Sequence, residues 1–407
     1  MADGQDPPLP VPVNTPEQGY QGGAEFFIDF DAVPGLGRML DQATEYGGQC
    51  ERFIWDNAAI KGGEGWFNQL HGKHDAVVEQ AASWFKRLTD PVLATTASKV
   101  ETTIRLFQNT ETANAAAIDA GVPNRIDTVD VSLPAWPKSG TEVSIDYGPF
   151  HYVQDPGDAL GKLHDYEGDP GLRYHPQIWD FCSPAGAARG TFVKVTEFLA
   201  WLGFLDRPYD PYDVFVKPVV GDWAALRRYA DVLRKAGDAV ERTGIGIDRA
   251  RHLLGPVWRG RAADACVVWL GAVATPMRDA PTALDAMADA YERAAEGAAK
   301  FRALLDDILT SCIDAAFFIA GALVIGGGAA AATGGISAGL ATIIAGAEIY
   351  TIVNGIKTLL QAAADTSLIM DGVEAVMNDF GSLQAGGQLP NLPPVSGDAS
   401  ALSVLPS

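Results

Sequence analysis

The stretch that decides the fold reads Gly255-Pro256-Val257-Trp258-Arg259-Gly260-Arg261-Ala262-Ala263 and lies between two long apolar patterns. Apolar residues recur every three or four positions over residues 226–247 before it and over residues 284–308 after it. This spacing predicts one apolar stripe along each of two α-helices. Glycine and proline stop a helix, and an indole can cover the end of a helical hairpin. The stretch therefore predicts a tight turn between two antiparallel helices, with Trp258 at the bend.

A second stretch of the same kind, Lys61-Gly62-Gly63-Glu64-Gly65-Trp66-Phe67, lies closer to the N-terminus. It joins an apolar stripe over residues 36–53 to another over residues 67–88, and a stripe with shifted phase follows over residues 93–107. Pro91 separates the last two stripes, and a helix interior tolerates proline poorly, so we expect a kink there. These residues predict a first helical hairpin with Trp66 at its bend.

Together the patterns predict a mainly α fold with two long antiparallel helical hairpins, an irregular α+β insert and a Gly/Ala-rich apolar helical hairpin. In the insert we expect short strands at residues 128–133, 143–147 and 214–217, and a helix near residues 194–205. The predicted segments are a flexible tail at 1–30, the first hairpin at 31–120, the insert at 121–220, the second hairpin at 221–310, the apolar hairpin at 311–365, and a C-terminal helix with a flexible tail at 366–407.

Residues 312–347 form an apolar run of 36 residues whose only charge is Asp314. Glycines divide it into arms of about 15 residues, shorter than the roughly 20 that a membrane-spanning helix needs. The spacing of Gly335 and Gly339 suits close helix packing in lipid, whereas the alanine and glycine content suits a hairpin buried between the long helices. Both interpretations stay open. The residues expected to contact a membrane or an assembly partner are Phe317, Phe318, Gly335, Gly339, Ile343 and Ile344.

Charge and composition narrow the classes of partner. The chain has 30 basic and 51 acidic residues and a formal net charge of −21, and its basic residues are not clustered, so nucleic acid is not an expected partner. The first 23 residues have no positively charged start and no apolar stretch, so we expect synthesis in the cytoplasm without a signal peptide. The four cysteines are expected to be buried free thiols.

Three patterns in the sequence are similar to enzyme or metal sites. Residues Gly335-Ile336-Ser337-Ala338-Gly339 fit the Gly-x-Ser-x-Gly pattern of hydrolases, but no histidine follows His252 to complete a triad. His74 lies on an apolar stripe, so we expect a buried, hydrogen-bonded residue and not a metal ligand beside His71. The insert histidines are spaced too irregularly to predict a metal site; they are His151, His164 and His175. We therefore expect no catalytic residues, no metal and no cofactor.

The two bends resemble those of the Trp-x-Gly (WXG) helical-hairpin family of type VII secretion substrates, and of the larger Esp-type proteins that travel with ESX systems. Trp258-Arg259-Gly260 matches the family's turn, and Gly63-Glu64-Gly65-Trp66 is similar to the Gly-acidic-Gly-Trp motif of Esp-type proteins. The family's export signal is Tyr-x-x-x-Asp/Glu, a spacing that Tyr209 and Asp213 share. The turn residues that carry the resemblance are Gly65, Trp66, Trp258, Arg259 and Gly260.

The resemblance implies a type VII (ESX-like) secretion substrate or secretion-associated protein that acts by contact and not by catalysis. Its helical stripes would pair with a protein partner or with a second copy, it would engage the secretion machinery, and its apolar hairpin would contact a membrane or mediate assembly. It would be secreted or associated with the cell envelope. The residues leave two alternatives: the carrier region of a polymorphic toxin, and a metal-dependent enzyme that uses the insert histidines.

Overall fold

The computed structural model describes residues 26–121, 147–152, 154–166, 172, 186–333, 336–380 and 389–395, without the side chains of residues 118–121 and 323–345. Over these residues the chain is mainly α-helical, which confirms the predicted fold class. Residues 1–25 and 396–407, which hold most of the two predicted tails, lie outside the described residues. More than a third of the predicted insert also lies outside the described residues.

Long helices make up most of the described structure. The strands and α-helices are β1 (Phe27–Ile28), α1 (Pro34–Asp56), α2 (Gly65–Arg87), α3 (Ala94–Gly121), α4 (Ala187–Trp201), α5 (Trp223–Val257), β2 (Trp258–Arg259), α6 (Arg261–Thr333) and α7 (Ile336–Phe380). Shorter helical turns lie at Leu88–Leu93, Pro156–Leu160, Tyr212–Val216 and Lys217–Val219. β1 and β2 form a two-stranded antiparallel sheet.

Helices α2 and α3 both pack against α1. α1 contacts α2, α3 and also α5, while α2 packs against the end of α7. There Lys73 forms an ion pair with Glu374 at 3.7 Å. The break expected near Pro91 lies at Asp90, whose φ of −134° and ψ of 115° are extended and separate α2 from α3. The phase shift between the two stripes follows from this break.

α5, α6 and α7 run antiparallel in succession. Gly237 of α5 faces Pro281 of α6, and Gly244 faces Met277, so the residue numbers run in opposite directions along the pair. On the next pair, the Cys312 thiol lies 3.8 Å from the Thr351 carbonyl oxygen. Further along that pair, Gly297 of α6 faces Ile369 of α7. The first half of α6 thus packs against α5, and the part from Gly297 to Cys312 packs against α7.

Two hydrophobic cores form, and each draws on distant parts of the chain. The first joins α1, α2, α3, α5, the first half of α6, the end of α7 and residues 389–395. The second joins α4, residues 205–219 and the middle parts of α6 and α7. Trp66 packs against both cores, and α6 contributes to both. The predicted helical stripes are therefore buried within the chain.

Two details of the insert and the apolar run differ from the prediction. Residues 214–217, predicted as a strand, belong to the helical turns Tyr212–Val216 and Lys217–Val219, because Phe215, Val216 and Val219 turn together into the second core. α6 continues through Gly326-Gly327-Gly328 to Thr333, so these glycines do not end it. The helix expected near residues 194–205 is α4, and residues 128–133 and 143–146 lie outside the described residues.

Candidate functional site

The Trp258 turn consists of the end of α5, two extended residues and one glycine. Trp258 follows Val257 with extended dihedral angles of −147° and 124°, and its backbone N–H donates to the Leu254 carbonyl. Gly260 then has a φ of +120°, which L side chains rarely adopt. α6 begins at Arg261, so the two helices reverse direction over three residues.

Strand β1 holds this turn from outside. Ile28 pairs with Trp258 and Phe27 pairs with Arg259, and the Asp29 N–H donates to the Val257 carbonyl at 2.7 Å. The Arg259 guanidinium carbon lies 5.1 Å from the centre of the Phe27 ring. The sequence predicted the turn but not this strand pairing, since a two-residue strand leaves no alternation to recognise.

Trp258 is buried at the turn, with 2% of its surface exposed. Its ring meets the Phe107 ring edge-on, with centroids 6.5 Å apart, so α3 covers the bend between α5 and α6. The indole nitrogen of Trp258 is buried and has no hydrogen-bond acceptor among the described residues. A buried N–H without an acceptor costs about 1–3 kcal/mol.

The Trp66 turn is built differently. Gly65 begins α2 with a φ of +51°, and the preceding Glu64 donates its backbone N–H to the Val220 carbonyl at 2.8 Å. Trp66 is half-buried, and its ring meets the Phe301 ring of α6 edge-on at 5.4 Å. This tryptophan therefore points away from its own helix pair and joins α2 to α6.

A buried polar cluster links α2 to α5 and α6. His74 Nδ1 lies 2.8 Å from the Tyr291 hydroxyl, and Nε2 lies 2.7 Å from the Ala58 carbonyl oxygen. Because a carbonyl only accepts, Nε2 carries the proton and Nδ1 accepts from Tyr291. The Tyr229 ring packs edge-on against the imidazole at 4.7 Å. Burial lowers the pKa of His74, so the ring is neutral, which agrees with its prediction as a hydrogen-bonded core residue.

Sequence reasoning missed the role of Arg302. This side chain of α6 is buried and donates to the carbonyls of Val219 at 2.5 Å, Leu172 at 3.4 Å and Gly221 at 3.5 Å. It fastens the segment before α5 onto α6. Nothing in its sequence position distinguishes it, because it lies next to the stripe residue Phe301 as an ordinary surface arginine would.

The predicted membrane or assembly residues are only partly described. Phe317 and Phe318 lie on α6 with about half of their surface exposed. Gly339, Ile343 and Ile344 lie in α7 at positions whose side chains are outside the described residues, and Gly335 is outside them altogether. Within the described ranges, no helix combines the length and the apolar character that crossing a bilayer requires.

The structure describes only some of the residues in the enzyme and metal patterns. Ser337 lies in α7 with its side chain outside the described residues, and His175 lies outside them entirely. In the described part of the chain, His, Cys, Asp and Glu side chains do not gather in threes as a metal site. Cys50, Cys266 and Cys312 are buried free thiols, as expected. Burial raises their pKa to about 12, so each stays protonated at neutral pH.

Tyr209, whose spacing to Asp213 fits the export signal, is a core residue. It is almost fully buried, its ring stacks near Phe215, and its hydroxyl donates to Asp206 at 2.7 Å. Asp213 pairs with Arg189 at 3.3 Å. Among the predicted residues, the structure thus brings Gly65 and Trp66 together at one bend and Trp258, Arg259 and Gly260 at another. Comparison of the chain with protein-family models, with curated proteins and with solved structures finds no match.

Proposed function

We propose that this chain is a non-catalytic docking protein of the type VII secretion kind, either a substrate or a factor that accompanies substrates. The observation that carries the proposal is the Trp258 turn. Two antiparallel helices reverse over three residues, the tryptophan closes the bend from inside, and a glycine at positive φ completes it. This arrangement agrees with the Trp-x-Gly resemblance of the sequence.

In this proposal the contact surface is formed by the exposed apolar side chains at the end of α4 and on the neighbouring part of α6. The helical stripes are not that surface, because they pack against one another within the chain. Trp201 at the end of α4 is 79% exposed, and Leu202 and Phe204 beside it are also exposed. Phe317 and Phe318 are exposed on α6, which α4 packs against. Exposed apolar side chains that recur in one part of a surface mark interaction sites.

The proposed partner is a protein of the secretion machinery or a small Trp-x-Gly protein. The apolar part of α6 and α7 provides a second contact, either with a membrane or with other subunits of an assembly. The chain has 51 acidic and 30 basic residues, and this excess of negative charge favours partners with a basic face. Apolar side chains would then supply affinity at the centre of the contact, while the charges would speed encounter.

Export from the native host tests the proposal. The tagged chain should appear in the medium of cells with a working type VII secretion ATPase and stay inside cells that lack it. Trp201→Asp should reduce co-purification of the small Trp-x-Gly partner at least tenfold, because a charge on the exposed contact surface opposes burial. Leu368→Asp is the matched control, since Leu368 is 71% exposed on another helix. Equal amounts in both media, or none in either, would contradict the proposal.

A further inference from the structure

A groove of about 460 Å³ lies beside the Trp258 turn, between α3 and the first turns of α6. Its walls are mostly apolar and include Val100, Trp258, Val268 and Trp269. Val268 is 72% exposed, which is unusual for a valine on a helix of the core. The volume falls within the range of pockets that bind ligands in proteins, roughly 300–1,000 Å³.

One end of this groove is closed by a proline-rich segment of the same chain. Residues 389–395 read Leu-Pro-Asn-Leu-Pro-Pro-Val, and Pro394 and Val395 line the groove. The Trp84 indole nitrogen donates to the Pro390 carbonyl at 2.8 Å. Aromatic-lined grooves recognise extended proline-rich peptides in this way, because such peptides keep their carbonyls free and lose little entropy on binding. The surface beside the groove thus already binds a proline-rich segment.

A second segment of the chain has the same composition. Residues 7–13 read Pro-Pro-Leu-Pro-Val-Pro-Val, which matches the run of leucine, prolines and valine in Leu392-Pro393-Pro394-Val395. The described chain begins at Phe26, whose ring packs at 4.9 Å from Phe107, the residue that also touches Trp258. The chain therefore enters the fold at the same bend that borders the groove. Residues 14–25 can extend over roughly 40 Å, which is ample to lead back to it.

We propose that the groove beside Trp258 is the binding site of the proline-rich residues 7–13 of the same chain. The groove suits this segment because its apolar walls near Val268 and Trp269 match the leucine and valines of residues 7–13, and because Pro394 and Val395 of a similar segment already line it.

Peptide binding to the full-length chain tests this assignment. A labelled peptide of residues 6–14 is titrated into the intact chain and into the full-length variant Leu9→Asp/Val11→Asp, whose charged segment cannot stay in an apolar groove. The variant should bind the peptide at least tenfold more tightly than the intact chain, because its groove is vacant. Adding Val268→Asp to that variant should abolish binding, whereas adding Leu368→Asp, at a site of matched exposure, should leave it unchanged. Equal binding by the intact chain and the variant, or binding by neither, would overturn the proposal.

Photo-crosslinking distinguishes the chain's own segment from other occupants. The photoreactive residue p-benzoylphenylalanine replaces Val268, the protein is irradiated, and the products are separated by mass and mapped by peptide mass spectrometry. A crosslink to residues 7–13 within a product of monomer mass is the expected result. A crosslink at dimer mass would assign the groove to a second copy and overturn binding within one chain. Crosslinks that map only elsewhere would remove the assignment altogether.

Discussion

The two tryptophan turns share a sequence signature and differ in what the tryptophan does. Trp258 is fully buried and closes the bend between α5 and α6, the two helices that it joins. Trp66 is half-buried and reaches out of its own helix pair to Phe301 on α6, where it touches both cores. One turn therefore stabilises a local reversal of the chain, and the other fastens one pair of helices to another.

The glycines of the two turns show the same difference. Both have positive φ, +51° at Gly65 and +120° at Gly260. A Cβ at Gly65 would overlap the backbone of Pro218, whereas the nearest neighbour of a Cβ at Gly260 is the Phe26 ring at 3.3 Å. The first turn is thus pressed against the segment before α5, and the second has room beside it. A short motif does not reveal which of these two surroundings it will have.

The largest expected effect is a difference in stability loss between alanine variants of the two tryptophans. Trp258→Ala should lower the free energy of unfolding by about 3–5 kcal/mol, the usual cost of removing a buried aromatic side chain. Trp66→Ala should cost about half as much, because its ring is half-buried. Urea denaturation at constant slope measures both. If the two variants lose equal stability, the distinction between a closing and a fastening tryptophan fails.

Alanine variants of the two turn glycines should lose somewhat less stability, and they compare how tightly each turn is enclosed. Gly65→Ala should cost about 3 kcal/mol, since a positive φ alone costs about 1–3 kcal/mol and the overlap with Pro218 adds to it. Gly260→Ala should cost about 1–2 kcal/mol, because the half-exposed Phe26 ring can move aside. Midpoints of urea unfolding for the two variants give the ranking. A larger loss at Gly260 would show that the Trp258 turn is the more tightly enclosed of the two.

The smallest effect is a pH dependence that reports the contact between the two helix pairs. Burial lowers the pKa of His74 in the folded chain, so as the pH falls below about 6.5 the unfolded chain takes up a proton that the folded chain resists. Stability should fall by up to about 1.4 kcal/mol per pH unit from this residue. His74→Gln should flatten the dependence between pH 7 and 5.5, while His71→Gln serves as the control. An unchanged slope in His74→Gln would mean that the imidazole is not held neutral by its contacts.

Much of the architecture was predictable because it is periodic. The stripes over residues 226–247 and 284–308 lie in α5 and α6, the glycine-rich stretches lie at bends, and the break near Pro91 lies at Asp90. Periodicity failed where burial is irregular. Residues 214–217 have the composition of a strand, yet they form helical turns because Val216 and Val219 both face the second core. The fold class could be predicted, but the assignment of elements to cores could not.

The contacts of the candidate site were mostly beyond sequence reasoning. His74 was expected to be a satisfied core residue, but its partners, Tyr291 and the Ala58 carbonyl, lie 217 and 16 positions away. Arg302 and the carbonyl of Val219 are separated by 83 positions. No local pattern encodes such pairs, because they depend on how helices of different hairpins pack. Strand β1 at the Trp258 turn was missed for the same reason.

The long helix α6 has a consequence for how the molecule can be divided. Its 73 residues run through both cores, at about 1.5 Å per residue over roughly 110 Å. A cut between the part of α6 in the first core and the part in the second would expose apolar side chains in both pieces. The hairpins look like separate modules in the sequence, but their apolar side chains are buried only in the whole chain.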